Sequence, residues 1–279
     1  MMIFMDIGGG MRDIYGAGVF DRLIDEKIRA DHVIGVSAGS ANVCSFITRQ
    51  RSRNFRFYHN YAQRKEYMSV GNFLKDGNYI DLKYIYGDIS QEGGEDPFDV
   101  DKCKREKTGL TIVCTDAETG LPAYFGKEEL SKTDLWLLMA TCSLPIMGQP
   151  TEHDGRKFYD GGISDPIPVE KALELGADFI MCIIPKVVTY KNPMPLKYHA
   201  LDEYPMIRDD MTVRARVYNQ KLDKLKELEK QGRALIVSPD GTEGLNMVSR
   251  NPKKLENFYN KGYNDVGKYL DILRNHMSK

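Results

Sequence analysis

"HVIGVSAGSANV" occupies residues 32–43, and its reading decides the fold. His32–Val36 is a short apolar run of strand character, and a run of small residues with helical spacing follows from Ala38. Between them lies Gly35-Val36-Ser37-Ala38-Gly39. A serine at so sharp a strand-to-helix bend needs tiny residues two before and two after it, and Gly35 and Gly39 meet that demand. The bend lifts the Ser37 hydroxyl clear of a sheet and sets it at a helix N-terminus, where negative charge is favoured. The same five residues would also serve a plain tight turn, so the rest of the chain has to decide.

Working outward, "MIFMDI" (2–7) reads as a buried strand, "GGG" (8–10) ends it, and helical spacing follows through Val19, Phe20, Leu23, Ile24 and Ile28. Strand, helix, strand, helix between residues 2 and 48 predicts a parallel sheet. Further strands are predicted in "LTIVCTD" (110–116), "RKFYDGG" (156–162), "DFIMCIIP" (178–185) and "ALIVSP" (234–239), with "TGLPAYFG" (119–126) as a hairpin arm or neighbouring strand. Helices are predicted over 134–143, 169–176, 208–232 and 251–274. Residues 49–107 are polar and aromatic with few aliphatic runs and read as a helical insertion ending in a loop over 90–99. No linker or repeat interrupts the chain. The expectation is one three-layer α/β/α domain over residues 1–279, with a mostly parallel central sheet.

Composition narrows the function. Net charge is −1, so no global field draws the chain to nucleic acid or anionic lipid. The five cysteines (44, 103, 114, 142, 182) are scattered and form no CxxC pair, which argues for buried thiols rather than a disulfide framework or zinc site. The N-terminus lacks the basic region and long apolar core of a signal peptide, and no stretch is apolar enough to span a bilayer. A cytoplasmic protein is expected, with neither metal nor cofactor and no nucleic-acid partner.

A nucleophilic serine needs a base. None of the five histidines (32, 59, 153, 199, 276) follows a late strand as a Ser–acid–His order would require. His153 comes nearest, but "HDGR" reads as a hairpin turn. Asp160 in "FYDGG" is better placed, at a strand end where open α/β sheets collect functional groups, although an isolated Asp-Gly more often marks a turn. The third element is "GGGMR" (8–12), whose backbone N–H groups can converge on an anion beside the Arg12 cation. Dinucleotide binding is the rival reading, and it fails where the third glycine of G-x-G-x-x-G falls on Asp13.

In this order, "DIGGGMR" (6–12), "GVSAG" (35–39) and "DGG" (160–162) resemble the motifs of the patatin-like phospholipase family, in its bacterial branch. "PFD" (97–99), "CTDAETG" (114–120), "SLPIMGQP" (143–150) and "DGGISDPIPVEKALELGAD" (160–178) extend the likeness over nearly the whole chain. The resemblance implies a Ser–Asp dyad in which Ser37 is the nucleophile and Asp160 the direct base. It implies an oxyanion hole from Gly8, Gly9, Gly10 and Met11, with Arg12 reaching the substrate. The implied reaction is hydrolysis of an acyl lipid (phospholipid, lysophospholipid or other ester) through an acyl-serine. Transacylation by the same dyad and a catalytically weak lipid binder are the alternatives. Many relatives carry glycine after the arginine, whereas this chain has Asp13, which is expected to pair with Arg12 and blunt its reach for phosphate.

Residues 49–67 hold six basic residues with Phe55, Phe57, Tyr58, Tyr61 and Tyr67 interleaved. A solvated helix with inward aromatics is the favoured reading, and a face resting on anionic lipid is the second. The segment is also placed to wall the acyl cleft, with residues 66–100 as the candidate lid. Thr115 and Asp116 are expected at a strand end near the site, as turn formers rather than reactive groups.

Overall fold

The computed structural model describes residues 1–69, 71–72, 74, 77–145, 147–188 and 203–277. Four residues of the candidate lid (70, 73, 75 and 76), Ile146 of the "SLPIMGQP" stretch and His199 lie outside them. The strands are β1 (Met2–Asp6), β2 (His32–Val36), β3 (Gly109–Asp116), β4 (Pro122–Phe125), β5 (Thr151–His153), β6 (Arg156–Asp160), β7 (Phe179–Ile183) and β8 (Ala234–Val237). They form one sheet in the hydrogen-bonded order β5-β6-β3-β2-β1-β7-β8, with β4 also paired to β3. Strands β3, β2, β1, β7 and β8 run parallel, and β4, β5 and β6 join antiparallel. The mostly parallel sheet expected from the sequence is therefore present, and β4 is the predicted hairpin arm.

The helices that bear on the site are α1 (Ile14–Asp25), α2 (Gly39–Thr48), α3 (Arg53–His59), α4 (Val100–Arg105), α5 (Trp136–Cys142), α6 (Val169–Glu174), α7 (Pro205–Lys230), α8 (Pro252–Asp265) and α9 (Leu270–Met277). Two apolar layers follow from the two-residue period of the strands. Phe4, Val33, Met181 and Ile183 pack on one face with residues of α1, α2 and α8, such as Phe20, Phe46 and Phe258. Ile3, Met5, Ile34, Val36 and Cys182 pack on the other with Ala172 of α6 and Tyr218, Leu222 and Leu225 of α7. These are the three layers of the predicted α/β/α fold. All five cysteines are free thiols.

Two expectations are refined. The closing helix is not continuous over 251–274, because a 3-10 turn at Val266–Tyr269 separates α8 from α9. The insertion is only partly α-helical, with α3 and α4 flanking 3-10 and π-helical turns at Tyr61–Gln63 and Tyr84–Ile89. Its basic face is largely spent internally. Arg51 pairs with Asp25, Arg53 and Arg56 with Asp96, and Arg64 with Glu95, while Arg49 donates to the Ile28 carbonyl. Phe57, Tyr58 and Tyr61 are buried. This is the inward-packed helix favoured above. No helix among the described residues is long and apolar enough to cross a membrane.

Candidate active site

Strand β3 aligns the site. Its residues Gly109–Val113 pair with β2, ending at Val36↔Val113, and its next residue pairs with β6, Cys114↔Asp160. Strand β4 covers Ile112–Thr115 and so takes the opposite edge of β3. Strands β2 and β6 therefore lie end to end along one edge, and the register brings the residue after β2, Ser37, against the last residue of β6, Asp160. The Asp160 carboxylate accepts a hydrogen bond of 2.7 Å from the Gly162 N–H, and the Ser37 hydroxyl favours its ionised form.

Ser37 sits in the left-handed region at φ 56°, a conformation that costs a non-glycine residue of order 1 kcal/mol. The surroundings hold it there. Its N–H donates to Thr141 Oγ1 at 3.0 Å, and the Thr141 hydroxyl donates onward to the Val113 carbonyl at 2.7 Å. A Cβ on Gly35 would stand 2.5 Å from Ser40 Cα, and one on Gly39 2.4 Å from the Asp6 carbonyl oxygen, so both tiny positions are sterically enforced. Asp160 is fixed through its backbone as well. Its N–H donates to the Ser143 carbonyl, and its carbonyl accepts from Thr115 Oγ1. Burial pushes the Asp160 carboxyl up to about 6, against the opposing pull of the Ser37 and Gly162 hydrogen bonds and the Arg214 charge.

The glycine-rich loop forms the facing wall, and its four predicted donors are not equivalent. The Gly8 N–H is taken by Asp6 Oδ1 at 3.1 Å, and the Met11 N–H by the Met247 carbonyl at 3.0 Å. Gly9 and Gly10 remain, and both line the polar cavity with Ser37 and Asp160. Gly8 is irreplaceable for a different reason: at φ 65°, a Cβ would meet the Val36 carbonyl at 2.5 Å. Asp13 does not turn toward Arg12 as expected. Its buried carboxyl faces Asp6, and Asn42 Nδ2 donates to both carboxyls at 3.0 Å. Burial raises both carboxyls, and the neighbouring Asp6 raises Asp13 further. Arg12 reaches the polar cavity.

Two cavities meet at Ser37. One is apolar, walled by Ala41, Phe57, Tyr58, Ile80, Leu82 and Tyr86. The insertion thus walls the cleft as its position predicted. The other, of about 180 Å³, is polar and adds Lys186, Arg214 and Tyr218 to the loop, serine and aspartate. The sequence reading missed these three, along with Thr141 and Met247. Lys186 directly follows the strand-like "FIMCIIP", a strand-end signal that could have found it, whereas nothing distinguishes Arg214 among the charges of a long helix. His153 lies away from this cleft, stacked on Trp136 at 3.9 Å between ring centroids. Asp116 is a turn former, bonded to Thr119 and Arg156.

A serine held in a strained strand-to-helix turn against a buried carboxylate, on a mostly parallel sheet, defines the class: α/β proteins that set a serine at the mouth of a cleft. The family model described as patatin-like phospholipase matches residues 8–173, and the chain belongs to that family of lipid hydrolases. A second model, described as a domain of unknown function (DUF6363), matches residues 204–278. That segment supplies α7, α8, α9 and β8, the last hydrogen-bonded into the same sheet. The chain is 29% identical over 184 residues to the uncharacterized protein YjjU of Escherichia coli strain K12. That match covers 63% of this chain and 49% of YjjU, so it spans about half of the curated relative. A search of solved structures finds VipD from Legionella pneumophila at a TM-score of 0.46 and 12% identity, covering 97% of this chain and 66% of that one.

Proposed function

We propose that this protein is a serine acyl-lipid hydrolase working through a Ser37–Asp160 dyad, with residues 1–279 acting as one catalytic unit. The observation that carries the reading is the juxtaposition, set by the register along β3, of a left-handed Ser37 and a buried Asp160 at the junction of an apolar and a polar cavity.

In the forward step, Ser37 Oγ attacks the ester carbonyl carbon as its proton passes to Asp160. The new oxyanion is held by the Gly9 and Gly10 N–H groups, which have no competing acceptor among the described residues. The tetrahedral intermediate collapses by breaking the bond to the alkoxy oxygen, which takes the proton from Asp160 and leaves as an alcohol. Water then attacks the acyl-serine, giving its proton to Asp160. The Ser37–acyl bond breaks, and the proton returns to Ser37 as the carboxylic acid departs. An Asp160 pKa of about 6 suits this cycle, since the group is ionised at neutral pH yet basic enough to take a proton. No histidine is required. The acyl chain takes the apolar cavity and the leaving alcohol the polar one.

Fluorophosphonate labelling with intact-mass readout tests the proposal. A single adduct on the wild type that disappears in Ser37→Ala is expected, and an unlabelled wild type overturns the reading.

A further inference from the structure

The glycine loop is built from the residues least able to hold a shape by themselves. Gly8, Gly9 and Gly10 follow one another, with Gly8 at φ 65° and Gly10 at φ 58°, and glycine has the most backbone freedom to lose. An oxyanion hole works only when its donors are fixed before the charge develops, so the order has to come from outside the loop. At the start of the loop Asp6 supplies it, through the Gly8 N–H. At the end of the loop the anchor comes from far along the chain. The Met247 carbonyl accepts the Met11 N–H at 3.0 Å. The same peptide fills the space beside Gly10, where a Cβ would stand 2.6 Å from the Met247 carbonyl oxygen and 3.1 Å from its Cα.

Met247 is presented by a short turn with its own fastenings. Asn246 Oδ1 accepts from the Val248 N–H at 2.9 Å and from the Ser249 hydroxyl at 3.0 Å, and Ser249 Oγ accepts from the Asn246 N–H at 2.8 Å. Before the turn, Leu245 is buried in the core. After it, Arg250 donates to the Met68 carbonyl at 2.8 Å, and the Arg250 carbonyl accepts from Gln63 Nε2 at 2.9 Å. Residues 245–250 therefore run as a strap from the core, across the glycine loop, to the insertion that walls the apolar cavity. Helix α8 follows at once, with Asn251 capping it through the Lys254 N–H. It grips α1, the helix that continues from the glycine loop, through hydrogen bonds from Tyr15 to Asp265 and from Tyr259 to Asp21. The strap also reaches the reaction centre, because Met247 lines both cavities, together with Gly10, Ser37 and Leu144. Strap and α8 both belong to the segment 204–278, matched by the domain of unknown function.

We propose that this segment is a positioning element for catalysis: its strap, held in shape by Asn246 and Ser249, fixes the glycine loop so that the Gly9 and Gly10 N–H groups meet the oxyanion. The Met11 N–H is spent on the anchor and not on substrate. The inference rests on the hydrolase reading for its chemistry and deepens it. Asn246 is exposed and lines neither cavity, so its loss reaches the chemistry only through the strap.

The test compares full-length wild type with Asn246→Ala, Asn246→Asp and Ser249→Ala on a neutral short-chain ester, with kcat expressed per site labelled by fluorophosphonate. Asn246→Ala is expected to lower kcat at least about tenfold and to leave KM within about twofold, because oxyanion binding is realised only in the transition state, where outright loss of a donor costs about 10²–10³-fold. Asn246→Asp keeps the acceptor and is expected to recover most of the loss. Ser249→Ala breaks the turn by another route and is expected to repeat it. The Tm of each variant is expected to fall by less than about 4 °C. A role in folding alone would instead shrink the labelled fraction and leave kcat per labelled site at the wild-type value. Hydrogen–deuterium exchange over residues 8–13 is read on the same proteins, and Asn246→Ala is expected to speed it at least about tenfold. Wild-type kcat per labelled site in both alanine variants, or unchanged exchange over residues 8–13, overturns the proposal. An inactive, unlabelled wild type sinks the hydrolase reading and the catalytic role with it, whereas faster exchange in the alanine variants still upholds the strap as what orders the loop.

Discussion

Two buried acidic sites flank the serine turn, and they are put to different uses. On one side Asp160 stands alone against Ser37, in a cavity that also holds the glycine loop. On the other, Asp6 and Asp13 face each other behind that loop, bridged by the Asn42 amide, with Asp6 holding the Gly8 N–H. Burial raises the carboxyl pKa at both sites, so a perturbed carboxyl by itself does not identify the reacting group. What separates them is access. Asp160 faces a cavity and a hydroxyl, whereas the Asp6–Asp13 pair lines neither cleft cavity and is closed over by Gly16, where a Cβ would stand 2.5 Å from Asp6 Oδ2.

The largest effect that separates the two sites is on turnover. Asp160→Asn is expected to lower kcat/KM on a neutral short-chain ester by at least about 10²-fold, the loss typical of removing a general base. Asp13→Asn keeps a hydrogen-bonding group beneath the loop and is expected to cost less than about tenfold. If the two variants lose activity equally, the division between a reacting and a supporting carboxylate fails.

Stability moves the other way. Asp160 is raised from 3.8 to about 6 in the folded state, so the folded form binds the proton more tightly than the unfolded one. The stability linked to this group is present at low pH and is lost as pH rises through about 6. Asp160→Asn removes an ionisation worth about 3 kcal/mol at pH 7.5, at roughly 1.4 kcal/mol per pKa unit. Its Tm should therefore rise, on the order of 5 °C for a chain of this size. A fall in Tm would mean that the carboxylate holds the turn together rather than being held at a cost.

The contrast also marks where the sequence was legible. The strand-to-helix turn, the glycine loop and the Asp-Gly-Gly stretch were readable because each is a backbone geometry that only small residues permit, and steric need leaves a local trace. Asp13 was misread for the converse reason. Its position beside Arg12 in sequence predicts a pair, but the 3-10 turn at Gly10–Asp13 carries its side chain inward to Asp6 and Asn42, contacts no local pattern encodes. The C-terminal wall was invisible in the same way. Arg214 and Tyr218 reach the cleft because α7 crosses the sheet, and Met247 because its carbonyl caps the Met11 N–H, all of which depend on tertiary placement. The insertion lies between these cases. Its aromatics announced burial, but its arginines looked like a surface patch until the acidic partners from Asp25 to Asp96 were in place.

The pH profile of activity distinguishes the two acidic sites more finely. With Asp160 as base, kcat/KM on a neutral ester is expected to fall tenfold per pH unit below about 6. The Asp6–Asp13 pair is also raised by burial, and its ionisation is expected to appear in stability instead. Both folded carboxyls hold protons more tightly than unfolded ones, so wild-type Tm should decline as pH rises from 5.5 to 8.5, and less steeply in Asp13→Asn. An Asp13→Asn variant that shifts the acid limb of activity while leaving the Tm slope unchanged would exchange the roles assigned to the two sites.

The smallest effect belongs to the one histidine that sequence order placed near the base position. His153 ends β5, and its ring stacks on Trp136 at an interplanar angle of 6°, with the indole in turn against Phe158. That contact supports the hairpin whose second strand ends in Asp160, so His153 acts on the site only through packing. Removing it by His153→Ala is expected to cost about 0.5–1.5 kcal/mol of stability, the range for an aromatic pair, and to change kcat/KM by less than about threefold. The informative readout is the pH profile of that variant. If the acid limb near 6 stays where it is in the wild type, the titrating group is Asp160. If it disappears with the imidazole while Asp160→Asn retains activity, the base is His153, and the end-to-end register of β2 and β6 along β3 serves only to build the turn.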